Sequence, residues 1–243
     1  MENILSKEDN ELITKVLDKL NIYKKTNLAK HTNFLDPRQI QILKRVLKNE
    51  DFRAYGGYDG AERQIILFGE GSFPIDLLKI THFDKDNFLS HRDYLGALTS
   101  LGIEREILGD IIVKENEAYV FVMSHITDFI INNLIKVKNE NVKVSKIEDF
   151  GVLPKLEFVK IQGTVQSLRL DSIVALFARS SRQNALELIM ANKVFLNYIE
   201  AKKPSSLVKD GDIISVRGFG KGIINVGDYS RKGRIFVTIN KYV

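Results

Sequence analysis

The order of secondary structure predicted between residues 75 and 147 constrains the fold more than any other feature of this chain. Apolar residues recur there with the spacing of strands and of amphipathic helices. They predict, in order, a strand at 75–80, a helix at 91–101, strands at 110–114 and 118–123, a helix at 127–135 and a strand at 142–147. This β-α-β-β-α-β order is typical of a ferredoxin-like sheet with both helices on one face, so we expect an α+β protein.

The residues before this sheet predict two helices followed by a hairpin. Leu12, Val16 and Leu20 recur at helical spacing, and Asp36 with Gln39 forms the reciprocal pair that caps the start of a second helix. The apolar stripe of that second helix would consist of Ile40, Leu43, Val46 and Leu47. Strand-like residues at 52–55 and 64–68 flank a glycine-rich turn and complete a small N-terminal domain.

A glycine and proline interruption at 148–156 separates the sheet from the C-terminal part. An extended segment at 157–165 leads to two short helices, and the first has one apolar stripe of Leu170, Ile173, Val174 and Phe177. The second helix is expected to start at Ser180, with Gln183 as its capping-box partner, and to end at Asn192 in the left-handed conformation. We therefore expect three domains, at 1–73, 74–155 and 156–243.

The charge of the protein is distributed unevenly along the chain. Residues 164–243 hold thirteen lysines and arginines against six aspartates and glutamates, a net charge of +7. The rest of the chain holds 23 lysines and arginines against 25 aspartates and glutamates, a net charge of −2. Lysine and arginine side chains gain affinity for phosphates by releasing condensed counterions, so the C-terminal third has the charge of a polyanion-binding module.

The segment from Arg169 to Arg217 resembles the alpha-L RNA-binding motif, the domain type named after ribosomal protein S-four of the small subunit. The likeness lies in RLDSIVALFARSSRQNALELIMANKVFLN and PSSLVKDGDIISVRG. In that family two helices and the following strand form a basic surface that clasps structured RNA. The matched positions imply RNA contacts by Arg169, Ser181, Arg182, Gln183, Lys193, Asn197 and Arg217. The chain departs from the family at Asn192 and Tyr198, where glycine is common.

Further basic residues extend this charged surface beyond the motif. We expect RNA contacts from Lys202 and Lys203 in a polar loop, and from four residues of a C-terminal hairpin, namely Lys221, Arg231, Lys232 and Arg234. The glycines at 218–222 superficially match a phosphate-binding loop. They are not framed by a preceding strand and a following helix, so we interpret them as a turn.

Segments outside the alpha-L motif are similar to the YlmH-type RNA-binding proteins of bacteria. They are Asn33–Gln39, Gly56-Gly57, Ala61–Arg63, Leu89–Leu98 and the residues from Leu101 to Ile111. This resemblance covers essentially the entire chain and implies a small N-terminal domain, an RRM-like middle domain and the C-terminal alpha-L domain. It also implies a link with the cell-division gene neighbourhood. Members of the group further resemble alpha-L proteins that hold transfer RNA on large ribosomal subunits during rescue of stalled translation.

Other motifs admit chemical or structural interpretations. His91-Arg92-Asp93 matches part of a kinase catalytic loop, but Leu98 stands where asparagine is required, and Ser90 with Asp93 predicts a helix cap instead. Tyr119 and Phe121 share one face of a strand, and we expect them to serve domain packing rather than base stacking. Glu62-Arg63 and Arg105-Glu106 could be surface ion pairs or interdomain contacts, and the sequence leaves both open.

These observations predict a non-enzymatic RNA-binding protein that grips structured ribosomal or transfer RNA on the ribosome, with the large subunit favoured, in translation quality control or rescue. With no cysteine and four dispersed histidines, we expect no metal and no cofactor. We also expect a cytoplasmic monomer without membrane insertion. One alternative is a cell-division protein acting through protein partners. A pseudouridine synthase-like enzyme is disfavoured, because no segment long enough for such a catalytic domain follows Val216.

Overall fold

The computed structural model of this protein describes residues 5–84, 88–149, 153 and 158–242. It divides into two compact units, Met1–Pro154 and Lys155–Val243. The α+β class is confirmed, whereas the division of the first unit at residue 73 stays a prediction. The predicted linker at 148–156 lies largely outside the described residues. Within the described ranges, no helix combines the length and apolar composition needed to cross a bilayer.

The N-terminal part of the first unit packs two helices against a three-stranded sheet with the order β1-β3-β2. Its elements are α1 (Lys7–Thr26), β1 (Lys30–His31), α2 (Pro37–Val46), β2 (Arg53–Tyr55) and β3 (Ile65–Phe68). The predicted cap of Asp36 with Gln39 is confirmed. The predicted stripe of α2 is wrong at Val46, which is exposed, because Leu47, two turns after Ile40, fills the core position at the helix end.

The second part of the first unit has the predicted ferredoxin-like arrangement. Its elements are β4 (Ile75–His82), α3 (His91–Ser100), β5 (Leu108–Lys114), β6 (Glu117–Met123), α4 (Thr127–Asn133), β7 (Lys136–Val137) and β8 (Glu140–Ile147). The antiparallel strands have the order β5-β6-β4-β8-β7, in which only the two-residue β7 was not predicted. Helices α3 and α4 cover one face of this sheet through the buried side chains of Tyr94, Leu98 and Ile130.

The other face of this sheet packs against the N-terminal part. Phe121 is fully buried in one cluster with Phe34, and its ring stacks on that of Tyr58 with centroids 5.1 Å apart. Gly57, with a φ of 107°, allows this approach, since a Cβ atom there would overlap the Phe121 ring. Tyr119 belongs to the same cluster. The prediction that these strand aromatics serve packing is confirmed.

A polar cluster also joins the two parts of the first unit. Arg63 donates hydrogen bonds of 2.8–3.2 Å to three backbone oxygens, those of Phe34, Arg105 and Leu108. The Asp110 carboxylate accepts from the Tyr58 hydroxyl at 2.9 Å and from the backbone N–H groups of Glu62 and Arg63 at 2.7 and 3.1 Å. Of the two interpretations left open by the sequence, Arg63 therefore serves contact between the two parts.

The second unit is an antiparallel sheet covered on one face by two helices. Its elements are β9 (Phe158–Val165), α5 (Leu170–Phe177), α6 (Arg182–Met190), β10 (Val194–Leu196), β11 (Ile199–Glu200), β12 (Ile213–Val216), β13 (Gly220–Tyr229) and β14 (Ile235–Tyr242). The sheet order is β11-β10-β12-β13-β14-β9. The predicted apolar stripe of α5 is buried on the sheet. Gly163 lets α5 approach β9, since a Cβ there would lie 2.5 Å from the Leu176 side chain.

Helix α6 begins one residue later than predicted. The backbone N–H of Ser180 donates to the Ala175 oxygen at 2.9 Å, so Ser180 closes the end of α5 instead of opening α6. Ser181 is the N-cap, and its hydroxyl accepts from the Asn184 N–H at 3.1 Å. The predicted capping box of Ser180 with Gln183 is therefore wrong. At the other end Asn192 has the predicted left-handed conformation, with a φ of 56°.

Candidate RNA-binding surface

Two arginines at the starts of α5 and α6 share one buried carboxylate. Asp171 in the first turn of α5 has a side chain only 4% exposed, and its Oδ2 atom accepts from Nη2 of Arg169 and from Nη2 of Arg182, each at 2.8 Å. The two guanidinium-bearing side chains are 39% and 56% exposed. The shared anchor orients both planar donor groups while leaving an excess positive charge at the surface.

The protonation of Asp171 follows from this arrangement. Burial by itself would raise the pKa of Asp171, but the hydrogen bonds from Arg169 and Arg182 outweigh it and lower the pKa to about 2. The carboxylate is therefore ionised throughout the physiological range, and it holds both arginines in place.

The start of α6 adds backbone donors to these side chains. The first N–H groups of a helix have no partner within the helix, and the helix dipole makes that end attractive to anions. Ser181 caps one of these groups through Asn184. Arg182 and Gln183, both exposed, are the first two residues of the helix. This end of α6 has the geometry that binds a phosphate.

A groove of about 700 Å³ runs between β9 and the connection from α5 to α6. Three arginines line it: Arg179, Arg182 and Arg234. Arg234 is fixed across the sheet edge by hydrogen bonds to Thr164, at 2.6 Å to the backbone oxygen and 2.9 Å to the hydroxyl. The sequence prediction included two of these arginines and missed Arg179, although its position in the basic connection between the two helices was visible.

Lys193 and Arg217 form a second pair beyond the helices. The backbone N–H of Arg217 donates to the Lys193 oxygen at 2.9 Å, which places the two exposed residues side by side at the ends of β10 and β12. The Arg217 guanidinium lies 5.2 Å from the centroid of the Phe195 ring. A cation held over an aromatic face in this way is oriented while its edge N–H groups still face solvent.

Lys221 occupies a different environment from the exposed lysines. Its Nζ atom lies 4.6 Å from the ring centroid of Tyr242 and 5.8 Å from that of Tyr198. Burial lowers the pKa of Lys221 below its ordinary value. The structure thus places this predicted RNA-binding residue among aromatic side chains of the sheet.

The remaining predicted contacts differ in how much of the side chain is available. Asn197 uses its amide within the protein: Nδ2 donates to Asp212 at 2.8 Å, and Oδ1 accepts from the Ile213 N–H at 2.9 Å. Lys202 lies 3.7 Å from Glu200. Lys203, Arg231 and Lys232 are exposed in loops and turns. RNA contact at all these positions stays a prediction, and at Asn197 it competes with two structural hydrogen bonds.

The two positions where glycine is common in the motif both have left-handed backbones. Asn192 has a φ of 56°, and Tyr198 has a φ of 64° after Asn197 at 49°. Asn197 and Tyr198 form the tight turn between β10 and β11, a geometry that glycine adopts without strain. The chain therefore keeps the turn geometry and departs only in the residues that adopt it.

Two motifs considered for other chemistry serve the fold. Asp93 accepts from the backbone N–H and the hydroxyl of Ser90 at 2.8 and 2.7 Å, and it pairs with Lys138 at 2.9 Å. The predicted helix cap is thus confirmed in place of a kinase loop. The glycines at 218–222 form the turn from β12 to β13 and the first residues of β13, as expected from their sequence context.

Comparisons with known proteins agree with this architecture. A sequence model of the RNA-binding domain in YlmH matches residues 69–149, and a model of the S4 domain matches residues 168–214. The ribosome-associated protein quality control protein P2 of Bacillus subtilis (strain 168) is 32% identical to this chain, and the match covers 97% of this chain and 96% of that protein.

A solved structure shares the fold of part of the chain. The cell division protein ylmH from Streptococcus pneumoniae aligns with a TM-score of 0.52 at 22% identity, over 63% of this chain and 99% of that one. Given the near full-length match to the Bacillus protein and the two matched domains, this chain belongs to the YlmH-type RNA-binding proteins, with an alpha-L domain of the S4 type at its C-terminal end.

Proposed function

We propose that this protein is a non-enzymatic factor that grips structured ribosomal or transfer RNA on the large ribosomal subunit, in translation quality control or rescue of stalled ribosomes. The observation that carries the proposal is the pair of arginines, Arg169 and Arg182, held on the buried Asp171 at the starts of two helices. The quality-control role and the cytoplasmic setting rest on the similarity to the Bacillus ribosome-associated protein.

The geometry suits a folded RNA backbone better than a small anion. The helix start presents backbone donors beside the fork of Arg182, and the groove continues past Arg179 to Arg234 along the edge of the sheet. Successive phosphates of an RNA strand could occupy these positions in turn. Binding of this kind depends on shape and charge, and it weakens steeply as the salt concentration rises.

The matched domains support a binding role rather than catalysis. Both matched sequence models describe RNA-binding domains, one in each compact unit. The Arg169–Asp171–Arg182 cluster is a fixed ion pair with its carboxylate buried, and it offers no proton acceptor to a substrate.

The test is sedimentation of the full-length protein with purified ribosomes through a low-salt gradient, followed by crosslinking and sequencing of the bound RNA. We expect the protein to travel with the large subunit and to crosslink to its RNA or to transfer RNA. Binding should fall by orders of magnitude between about 50 and 200 mM salt. Recovery with the small subunit alone, or absence of crosslinked RNA, would contradict the proposal.

A role in cell division through protein partners is the second candidate, because the related Streptococcus structure is described as a cell division protein. The same preparation discriminates between the two. Treatment with RNase before affinity isolation should release the partners of an RNA-binding factor. A complex with division proteins that survives RNase, without sedimentation on ribosomes, would favour the second candidate.

A further inference from the structure

The sheet of the second unit has one face that its helices do not cover. Strand register places on this face alternate residues of five neighbouring strands. They are Phe195 on β10, Ile213 and Ser215 on β12, Lys221, Ile223 and Asn225 on β13, Phe236, Thr238, Asn240 and Tyr242 on β14, and Phe158, Lys160, Gln162 and Thr164 on β9, with Lys193 and Arg217 at the strand ends. We call this set the open face. The alternating residues, such as Ile161, Val237 and Ile239, form the core under α5 and α6.

Aromatic rings are spread across the open face. Phe236 is 51% exposed and Phe158 is 38% exposed, which is unusual for strand phenylalanines beside a well-packed core. The rings of Phe158 and Tyr242 lie 5.0 Å apart on neighbouring strands. Phe195 lies on the same face near the other edge of the sheet, and its ring contacts the Arg217 guanidinium. The rings therefore lie at several separate points of one surface, with the paired side chains of Ile213 and Ile223 between them.

The charged residues in the paired register of this surface have one sign. Lys160, Lys193, Arg217 and Lys221 all project from it, and among the described residues of β9, β10, β12, β13 and β14 no carboxylate occupies an open-face position in the paired register. Two carboxylates lie beside it: Asp228 in the irregular segment of β13 opposite Phe236, and Glu200 on the edge strand β11, whose Oε1 atom lies 3.7 Å from Nζ of Lys202. Polar side chains such as Gln162 and Asn240 fill the space between the rings.

We propose that the open face binds unpaired RNA nucleotides, whose bases stack on Phe158, Phe236 and Tyr242 while Lys160 and Arg217 contact their phosphates. The inference rests on the proposed RNA-binding function and adds to it a second, chemically different site. Aromatic rings on a sheet, interspersed with cations, are the arrangement that proteins use for single strands, since every base has a face that can stack.

The same features disfavour an association of two copies through this face. Two such surfaces would bring together lysines and arginines of like charge, with no carboxylate in the paired register of the five strands to offset them. The apolar residues of the face are also divided by lysines, amides and hydroxyls, whereas the core of a stable protein interface is depleted of charge. A negatively charged strand with flat bases is complementary to both the charge and the rings.

The proposal assigns structured RNA to the arginines at the helix starts and unpaired RNA to the open face. This difference can be tested in the full-length protein. Two labelled probes are compared by fluorescence anisotropy at low salt: a single-stranded RNA of about twelve nucleotides and an RNA duplex of similar length. Phe236→Leu and Phe158→Leu keep an apolar side chain but remove the aromatic face. Tyr229→Ala is the matched control, because Tyr229 is 73% exposed but pairs with Ile235 of the helix-covered face.

We expect each phenylalanine variant to weaken single-strand binding by about 5- to 100-fold and to leave duplex binding within about twofold. A 2-aminopurine base placed in the single strand should be quenched on binding to the unaltered protein and much less on binding to Phe236→Leu. Tyr229→Ala should match the unaltered protein with both probes, and circular dichroism should show all three variants folded.

Two other results separate this inference from the proposed function. Unchanged single-strand binding by both phenylalanine variants, together with weaker duplex binding by Arg182→Ala, would overturn the open face as an RNA site and leave the proposed function standing. A change of oligomeric state in Phe236→Leu without any change in RNA affinity would also overturn it, in favour of a protein contact. Failure of the unaltered protein to bind either probe, or ribosomes, would overturn both.

Discussion

The arginines of the two compact units differ in how their donor groups are used. In the first unit Arg63 and Arg105 donate to backbone oxygens, and burial lowers the pKa of both, that of Arg105 to about 10. In the second unit Arg169 and Arg182 share the Asp171 carboxylate and are 39% and 56% exposed. Arginines of the first kind fix segments of the fold, whereas those of the second kind keep exposed donor groups, which we propose bind RNA.

The acidic partners differ in the same way. Burial raises the pKa of Asp110 in the first unit, despite hydrogen bonds from Tyr58 and from backbone N–H groups. At Asp171 the arginine hydrogen bonds outweigh burial and lower the pKa to about 2. The number of charges in a cluster therefore does not identify an RNA site. The exposure of the donors and the location of their hydrogen bonds distinguish the two clusters.

The largest expected effect is a loss of stability of the first unit when Arg63 is replaced, which tests whether this arginine serves the fold. Arg63→Ala removes a donor from three backbone oxygens, of which that of Leu108 keeps a bond from the Arg105 side chain and that of Arg105 keeps one from the Leu108 N–H. It also removes a positive charge that favours the ionised form of Asp110. We expect a loss of about 3 kcal/mol in the free energy of unfolding of the first unit. Urea unfolding followed by circular dichroism measures it, since the chain has no tryptophan.

The matched control for Arg63→Ala is Arg45→Ala, at an exposed position of α2. The control should change the free energy of unfolding by less than about 0.5 kcal/mol. RNA affinity should be retained by Arg63→Ala under conditions where it is folded. A loss of RNA affinity with stability intact would mean that Arg63 contacts RNA. It would contradict the distinction between the arginines of the two units.

The second effect is expected on RNA affinity. Arg182→Ala removes an exposed guanidinium at the start of α6, while Arg169 still pairs with Asp171. We expect about tenfold weaker binding of structured RNA, or roughly 1.4 kcal/mol. The slope of log affinity against log salt should become shallower by about 0.7–0.9, the value for one phosphate contact. Binding isotherms at several salt concentrations measure both quantities.

Arg182→Lys tests whether the planar donor fork matters as well as the charge. Lysine keeps the charge and should preserve the salt slope, but it cannot engage Asp171 and a phosphate with the same geometry. Its affinity should lie between those of Arg182→Ala and the unaltered protein. Equal affinity of all three proteins would mean that RNA does not contact this helix start.

The two carboxylates should give opposite pH dependences of stability. The folded pKa of Asp171, about 2, lies below its ordinary value of 3.8. Its contribution to stability is therefore complete above pH 3.8 and is lost as the pH falls toward 2. Asp110 has a raised pKa, so its contribution is complete below its ordinary value and is lost as the pH rises through the folded pKa.

Acid titrations of Asp171→Asn and Asp110→Asn, followed by circular dichroism, measure these dependences. Asp171→Asn should lose stability at pH 7 and show a flatter decline between about pH 4 and 2 than the unaltered protein. Asp110→Asn should instead lack the gain in stability that the Asp110 carboxyl gives the unaltered protein as the pH falls from neutral toward 3.8. Identical acid profiles for the two variants would contradict the different roles assigned to these clusters.

Much of the fold follows from sequence signals that are local and strong. The cap of Asp36 with Gln39, the stripe of α5 and the order of strands in the middle sheet were all predicted correctly. The two-residue strands β1, β7 and β11 were not predicted, because they are too short to show a period. Two adjacent serines precede α6, and the sequence pattern predicts the cap at Ser180. The left-handed conformation of Arg179, with a φ of 49°, and the bond from the Ser180 N–H to the Ala175 oxygen place the cap at Ser181.

The sequence predicted only part of the candidate site. Resemblance and charge identified Arg169 and Arg182, but not Asp171, whose role depends on two arginines meeting in space from different helices. The open face depends on the strand register, which places Phe158 beside Tyr242 although more than eighty residues separate them in the chain. Neither arrangement has a signal within one segment of sequence.

The smallest expected effect tests whether the scaffold of the second unit can change without altering its surface. Asn192 ends α6 in the left-handed conformation, with a φ of 56°, immediately before Lys193. Asn192→Gly removes the steric cost of a side chain there and should stabilise the second unit by about 0.5 kcal/mol. Thermal unfolding should show a rise of a few degrees at most, with RNA affinity unchanged. If RNA affinity fell with stability unchanged, the Asn192 side chain would itself contact the ligand, and the RNA-binding surface would extend past the end of α6.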